Sequence, residues 1–320
     1  MMRQLLPLLL ALTLLLGGCA PRDPLEEMVS AADAPIPAPQ PTNVAPQEAA
    51  ATLWFRFSSE PLLAPETRVL SLSPTAPYEL TLLQALAAGP AAASLELTGL
   101  FPPGTRVLAT HRQGRTLFVT LSRQILNDYA DEKSLAADES VLRRRLAMQA
   151  IAATVTENCD VDSVVILLEQ TATGGSSLRL RQSYYRDGSD ASALAAPLQR
   201  DESLLLTPAN TLHIVLDCWQ SRNWARLYPS IARSDAATGQ ARPAYEDFAA
   251  QMEALPHLTG FSASAGSISS DGQTVVFSAT LTLLDDGQTA TTTATLRLHR
   301  ERGLWRISLS QLTGREGLTP

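Results

Sequence analysis

Two side chains at helical spacing are the clearest candidates for acid–base chemistry. His213 and Asp217 lie four residues apart, so a helix through them places both on one face. A histidine beside a carboxylate can act as a general acid–base dyad, and the same spacing also produces a weak surface pair. Trp219 and Trp224 follow and could line a pocket beside the dyad. We expect no catalysis here, because no second acid, lysine or nucleophile lies at a matching place.

The other reactive residues form no recognisable site in the sequence. The four histidines are scattered and lack ligand spacing to cysteine or carboxylate residues. The glycines at 174–175 are not followed by the lysine of a phosphate loop. Cys159 and Cys218 could form a disulfide or remain two buried thiols, and we favour thiols because the cysteines fall in separate predicted blocks. We therefore predict a non-enzymatic protein without a metal or a cofactor.

Composition and charge limit the class of protein. The chain has 320 residues, of which 45% are hydrophobic and 18% are charged, which is typical of a folded body. Its formal net charge of −7 argues against nucleic-acid binding, which needs clustered basic residues. The basic run at 143–145 could dock an acidic partner or a cell-wall polymer. We favour a solvated helix face offset by Asp138 and Glu139.

The amino terminus carries the pattern of a secretion signal. The run from Leu5 to Leu16 is apolar except for two residues, and it is short for a transmembrane span. It ends in Gly17-Gly18-Cys19, which resembles the lipobox of bacterial lipoproteins. The alternative is an uncleaved anchor with an incidental cysteine. The resemblance implies cleavage between Gly18 and Cys19 and attachment of acyl chains, palmitate among them, to Cys19.

A proline-rich tether is predicted behind this leader. We assign residues 1–18 to the signal peptide and residues 19–50 to the lipidated tether, in which prolines recur from Pro35 to Pro46. Such a segment favours the extended polyproline conformation. The lipobox resemblance thus implies a protein on the extracytoplasmic face of the cell membrane, held to the bilayer by acylated Cys19.

Residues 51–172 show an alternation of strand and helix patterns. Hydrophobic residues alternate at the start, Pro77 opens a helix, and Gly89-Pro90 closes it. The order predicts helices packed on one face of a small sheet. The elements are expected at 53–58, 67–72, 77–88, 105–111, 116–121, 134–156 and 162–168.

Four short motifs follow one another in this block. They are Leu53-Trp54-Phe55, Leu82 to Leu86 with Gly89-Pro90, Phe101 to Thr105, and Leu117 to Ser122. In this order they resemble the GerMN domain, the sporulation and germination domain of bacterial lipoproteins. The resemblance implies a non-enzymatic module that contacts envelope or sporulation-complex proteins. The founding pattern has two tandem copies, whereas this chain shows one copy over residues 51–172 and then a different block.

The segment 173–206 is predicted to be a linker that could hold a short strand, and a second domain is predicted over 207–314. Thr207 and Pro208 form a helix start, because threonine is a good N-cap and proline suits the first helical turn. Helical patterns continue to about Leu255. Two Asp-Gly pairs, at 271–272 and 286–287, then indicate hairpins of an antiparallel sheet.

This second block resembles the cone-shaped α+β fold of nuclear transport factor and SnoaL-type proteins. The resemblance rests on Trp219 and Asn223-Trp224 in the opening helical region and on Leu304 to Ile307 at the end. The fold hosts enzymes, binders and scaffolds, so it selects no function. The whole chain is thus predicted to be α+β, with two small domains of helices packed on antiparallel or mixed sheets.

The favoured function is that of a membrane-anchored lipoprotein that acts as a scaffold in envelope assembly, plausibly in sporulation or germination. Its expected partners are envelope or sporulation-complex proteins, with no nucleic acid and no metal. The alternative is a surface-displayed cone domain that binds a small ligand or catalyses a reaction through the His213 and Asp217 region.

Overall fold

The computed structural model describes residues 47–170, 176–188 and 190–314. The predicted leader, the cleavage position at Gly18 and the lipidation site Cys19 lie outside these residues. Within the described part, no helix is long and apolar enough to cross a membrane.

The first half of the folded part, which ends before Thr207, begins with an antiparallel ribbon of two strands. Strand β1 (Gln47–Phe57) pairs with β2 (Leu63–Leu72) along its length, and the short β3 (Leu97–Thr98) pairs with the end of β1. Helix α1 (Tyr78–Ala87) follows β2. Apolar β1 side chains such as Phe55 are buried, as the alternating pattern predicts, but Trp54 and Arg56 on the other face of the strand are buried as well.

A second, mixed sheet completes the first half. Its strands are β4 (Val107–Gln113), β5 (Thr116–Leu121), β6 (Ser163–Glu169) and β7 (Ser177–Arg179), in that order across the sheet. Strands β5 and β6 are parallel and are connected through helix α2 (Ala137–Asn158), whereas the other pairs are antiparallel.

The first half therefore has two sheets rather than the single sheet predicted, and helix α2 explains why. The side chain of Asn158 accepts a hydrogen bond from the Thr52 N–H (2.9 Å) and donates one to the Thr52 carbonyl (2.8 Å). Thr154 Oγ1 accepts from the Trp54 N–H at 3.1 Å. Helix side chains thus satisfy backbone groups of β1 that a strand of the second sheet would otherwise bond.

The residues described between 176 and 206 pack against the rest of the first half. Leu180 and Leu198 are buried in the core. The Leu198 N–H donates to the Val164 carbonyl (2.7 Å), and the Val164 N–H donates back to Leu198 (2.8 Å). The Leu206 N–H donates to the Leu63 carbonyl at 2.7 Å. The segment contains strand β7 and adds apolar side chains to the core.

The second half places helices against an antiparallel sheet. Helix α3 (Pro208–Gln220) begins where predicted, since Thr207 Oγ1 accepts from the Asn210 N–H at 3.1 Å. It is followed by α4 (Trp224–Leu227) and α5 (Tyr245–Glu253).

Five strands and a short helix complete this half. They are β8 (His257–Ala263), β9 (Ser267–Ile268), β10 (Thr274–Asp285), β11 (Gln288–Glu301), β12 (Leu304–Ile307) and α6 (Leu309–Leu312). The strand order is β12-β11-β10-β8, with β9 beside β10. The β10–β11 turn has Asp286 at φ 45° and Gly287 at φ 78°, the left-handed conformations that a two-residue hairpin requires.

Both halves contribute to one continuous core. The described residues belong to one compact unit, and a single cluster of buried apolar side chains runs from β1 through α2 to α3 and β11. Inside the second half, Trp219, Phe248 and Phe277 fill the space between helices and sheet. The α+β class predicted from the sequence is confirmed.

Candidate interaction sites

Two buried carboxylates of the first half meet arginines of the second half. The first, Glu60, lies in the β1–β2 turn and is 5% exposed. Arg226 of helix α4 donates from Nε to Glu60 Oε1 (2.6 Å) and from Nη2 to Oε2 (3.0 Å). The Asn223 side chain caps α4 by accepting from the Arg226 N–H at 3.1 Å. The bidentate geometry fixes the position of the two halves at this turn.

The second carboxylate, Glu96, lies in the loop before β3 and contacts two arginines. Its Oε1 is 3.1 Å from Arg306 Nη2, and its Oε2 accepts from Arg233 Nη2 at 2.9 Å. Arg306 is itself buried and also pairs with Glu301 at 3.1 Å. Its Nη1 donates to the carbonyls of Pro229 (2.5 Å) and Ile231 (3.2 Å). We call Glu60, Glu96, Arg226, Arg233 and Arg306 the ionic seam.

The charges of the ionic seam shift one another's proton affinity. Burial alone would raise the pKa of Glu96, but Arg306 and Arg233 outweigh it, so its pKa lies below the ordinary value of 4.5. Hydrogen bonding to Glu60 raises the pKa of Arg226. Burial lowers the pKa of Arg306, and Glu96 and Glu301 oppose that shift. Each buried charge is thus compensated by a partner, as burial requires.

A free sheet edge lies on the first half. Strand β4 pairs with β5 along one side, and no described strand pairs with its other side. The register shifts between Val107 and Ala109. Beside this edge, a groove of about 490 Å³ between α1 and β4 is lined by Ala87, Ala88, Val107 and Leu108, among others. An unpaired edge can accept an extended segment of another chain.

A second concave surface lies between α2 and the segment 182–201. Its volume is about 540 Å³, and its lining combines apolar, amide and charged side chains. We call it the α2 groove. Met148 and Leu198 form its buried floor, and Tyr185 is half-buried at its side.

The comparisons with known proteins assign part of this architecture. Residues 56–173 match the family model Germane, which is described as sporulation and spore germination. We call this matched segment the Germane domain. The match confirms the resemblance predicted for residues 51–172. The Germane domain supplies both carboxylates of the ionic seam, the β4 edge and the α2 side of the α2 groove. None of the curated proteins matches the chain.

Solved structures with related folds are distant. The tandem GerMN domains of GerM from Bacillus subtilis are 14% identical over 49% of this chain, which spans only 46% of that structure, at a TM-score of 0.33. The first GerMN domain of the same protein is 14% identical over 41% of this chain and 93% of its own, at a TM-score of 0.27. An NTF-2 like protein from Shewanella oneidensis is 15% identical over 31% of this chain and 90% of its own, at a TM-score of 0.25.

The residues predicted for a pocket in the second half serve structural contacts. His213 is exposed and packs edge-on against Phe261 at 5.6 Å between ring centroids. Asp217 forms an ion pair with Arg226. Trp219 and Trp224 are both buried. The two indole N–H groups donate to the Pro256 carbonyl (3.1 Å) and to Glu253 Oε2 (2.7 Å).

None of these four residues lines the groove beside β4, the α2 groove or the cavity of about 330 Å³ beside Asp235 and Arg242. Asp217, the carboxylate of the alternative dyad with His213, contacts Arg226 of the ionic seam.

Two arginines of the basic run at 143–145 make internal contacts of the Germane domain. Arg143 pairs with Asp131 at 2.8 Å, and Arg144 pairs with Glu132 at 2.7 Å. Arg143 also lies over the Tyr129 ring at 4.8 Å. These contacts hold the loop before α2 against the helix. The prediction of a solvated helix face offset by Asp138 and Glu139 is therefore incomplete.

The sequence alone does not predict the ionic seam, because its members are far apart in the chain. Arg306 stands between Trp305 and Ile307, whose alternation predicts that Arg306 points to solvent. Its side chain is nevertheless buried. The one local signal was an arginine in a short strand flanked by large apolar residues.

Proposed function

We propose that the protein is a lipid-anchored extracytoplasmic lipoprotein that acts without catalysis, as a protein-interaction scaffold in envelope assembly during sporulation or germination. The observation that carries this proposal is the Germane domain at 56–173, whose family is described by that process. The second half extends the same folded unit and offers a further contact surface.

The anchor is supported by the sequence before the folded unit. The apolar run to Leu16 and the small residues before Cys19 have the pattern of a lipoprotein signal. About 30 extended residues of tether would reach on the order of 90 Å at ~3.1 Å per residue. Such a reach would place the Germane domain well away from the bilayer surface.

The β4 edge is the contact surface that this function would use. A partner strand would pair with the regular part of β4, and an apolar side chain beside it would enter the groove between α1 and β4. The register shift at Val107 and the charge of Arg112 limit indiscriminate pairing at this edge. The β4 edge therefore suits pairing with a strand of one specific partner protein.

Site-specific photo-crosslinking in native envelopes tests the scaffold proposal. A photoreactive residue replaces Leu108, which is 36% exposed at the groove, or Ile268, which is 62% exposed in the second half. We expect one protein to crosslink reproducibly from position 108 and not from position 268. No crosslink at 108, or the same products from both positions, would refute the β4 edge as the contact surface.

Labelling with a radioactive fatty acid tests the anchor. Wild type and a Cys159→Ala control should incorporate label, whereas Cys19→Ala should not. Equal labelling of wild type and Cys19→Ala would show that the lipobox assignment is wrong.

A further inference from the structure

The α2 groove has the size and shape of a small-ligand site. Its volume of about 540 Å³ falls within the range of ligand pockets, roughly 300–1,000 Å³. One wall is a face of α2, and the other is formed by residues 182–187 and 196–201. Two backbone hydrogen bonds between Leu198 and Val164 fix the second of these stretches to strand β6.

The floor of the groove is apolar. Met148 is fully buried, Leu198 is 8% exposed, and Val141 and Leu142 are half-buried. Tyr185 stands half-buried at the side and presents its ring to the same space. A ligand with an apolar face could therefore pack against an aromatic ring and aliphatic side chains.

The rim carries polar groups with unused hydrogen-bonding capacity. Among the described residues, the side-chain amides of Gln182 and Gln199, the hydroxyl of Tyr185 and the carboxylate of Asp187 have no protein partner. Gln149 Oε1 accepts from the Asp201 N–H at 3.2 Å. An amide both donates and accepts, and a carboxylate accepts from hydroxyl groups.

The charges around the groove select against highly charged ligands. The groove is lined by three carboxylates and two arginines, and Arg145 lies 3.7 Å from Asp201. These charged residues are Asp138, Asp187, Asp201, Arg145 and Arg186. The carboxylates would repel a phosphate-rich ligand, and the arginines would repel a polycation. What remains is an uncharged ligand with many hydroxyl groups and an apolar face.

We propose that the α2 groove binds a neutral oligosaccharide. The C–H face of a sugar ring would pack against Tyr185, and its hydroxyl groups would bond to Gln182, Gln199 and Asp187. This site goes beyond the proposed scaffold role and does not depend on it, because it uses a different surface from the β4 edge. It would add a polysaccharide contact to the protein contact.

Calorimetric titration of the full chain in mild detergent tests the proposal. The probes are a tetramer of N-acetylglucosamine and cellotetraose. Wild type should bind at least one probe. Tyr185→Ala should weaken that binding about tenfold, the effect of losing one stacking contact, whereas Tyr185→Phe should weaken it less.

A matched pair of glutamine variants distinguishes the loss of a contact in the α2 groove from a general effect of removing a surface amide. Gln199→Ala removes an exposed amide at the groove and should weaken binding severalfold. Gln84→Ala removes an exposed amide at the groove beside β4 and should leave binding unchanged. Because Gln199 is exposed, its variant should fold normally even if Tyr185→Ala does not.

Three outcomes would overturn the proposal. They are failure of wild type to bind either probe, equal binding by wild type and Gln199→Ala, and displacement of a bound probe by a lysine-rich peptide. Crosslinking from position 108 would be unaffected by any of them, so failure of the sugar site is distinguishable from failure of the scaffold role.

Discussion

Glu96 and Arg306 form a buried ion pair between the two halves, with 3.1 Å between Oε1 and Nη2. Glu96 is 7% exposed, and the Arg306 side chain is 2% exposed. Arg233 contacts the other oxygen of Glu96. The Germane domain therefore buries a carboxylate whose charge is balanced by residues that come more than a hundred positions later.

Replacing Glu96 should destabilise the whole folded unit. Glu96→Gln keeps the shape but removes the charge that faces Arg306, and breaking a buried pair costs about 3 kcal/mol. Urea unfolding followed by tryptophan fluorescence measures the loss. Asp162→Asn is the control, because this carboxylate pairs with Arg115 at an exposed site and should contribute little. Equal stability of Glu96→Gln and wild type would show that the pair does not hold the halves together.

The same pair should make stability depend on acid pH. The pKa of Glu96 lies below 4.5 in the folded protein and returns towards that value on unfolding. The folded state then binds fewer protons, so the contribution is complete above about pH 4.5 and is lost as pH falls through the lower folded pKa. Urea midpoints measured from pH 7 to pH 3 should fall less steeply for Glu96→Gln than for wild type. Parallel curves would contradict the pKa shift.

Local elements of this fold could be predicted because their signals are short-range. Thr207 and Pro208 mark the start of α3, and the structure places the cap and the first turn there. Pro77 precedes α1, and Gly89 takes φ 92° just beyond its end. Each signal depends on the backbone preference of one or two residues, so it predicts the helix end without knowledge of the tertiary structure.

Contacts between distant residues could not be predicted in the same way. Nothing near Glu60 indicates that Arg226 will cover it, since the two are 166 positions apart. Asn158 likewise replaces a strand beside β1 through a contact across 106 positions. Each groove also forms where stretches that are not adjacent in the chain meet, residues 84–88 and 105–108 at one and residues 138–149 and 182–201 at the other. Tertiary packing, rather than local propensity, therefore decides where this protein can bind a partner.

The segment predicted as a linker should contribute to stability as a core segment does. Leu180 is 1% exposed, and truncation of such a buried leucine costs about 2–5 kcal/mol. Leu180→Ala should lower the urea midpoint by a corresponding amount. Leu194→Ala makes the same chemical change at a side chain that is 57% exposed, and it should cost about 0.5 kcal/mol or less. Similar stability of the two variants would mean that the segment is not part of the cooperative unit.

The two thiols of the folded part should react slowly in the native state. Burial raises the pKa of Cys159 to about 11, with a further contribution from Glu79, and burial raises that of Cys218 to about 12. Since the thiolate is the nucleophile, iodoacetamide at pH 8 should modify both slowly in buffer and rapidly in urea. Within the described residues both cysteines are free. The measurement uses Cys19→Ala, so that only these two thiols are counted by mass.

The same sample decides between thiols and a disulfide. Non-reducing mass spectrometry of denatured Cys19→Ala should show two alkylated cysteines, and no loss of two hydrogens. Cys159 is half-buried and Cys218 is fully buried, so Cys159 should be modified first, and its rate should rise with pH. Rapid modification of Cys218 in buffer would show that α3 opens readily from the core. A chain that resists alkylation in urea until it is reduced would show that the two cysteines are paired.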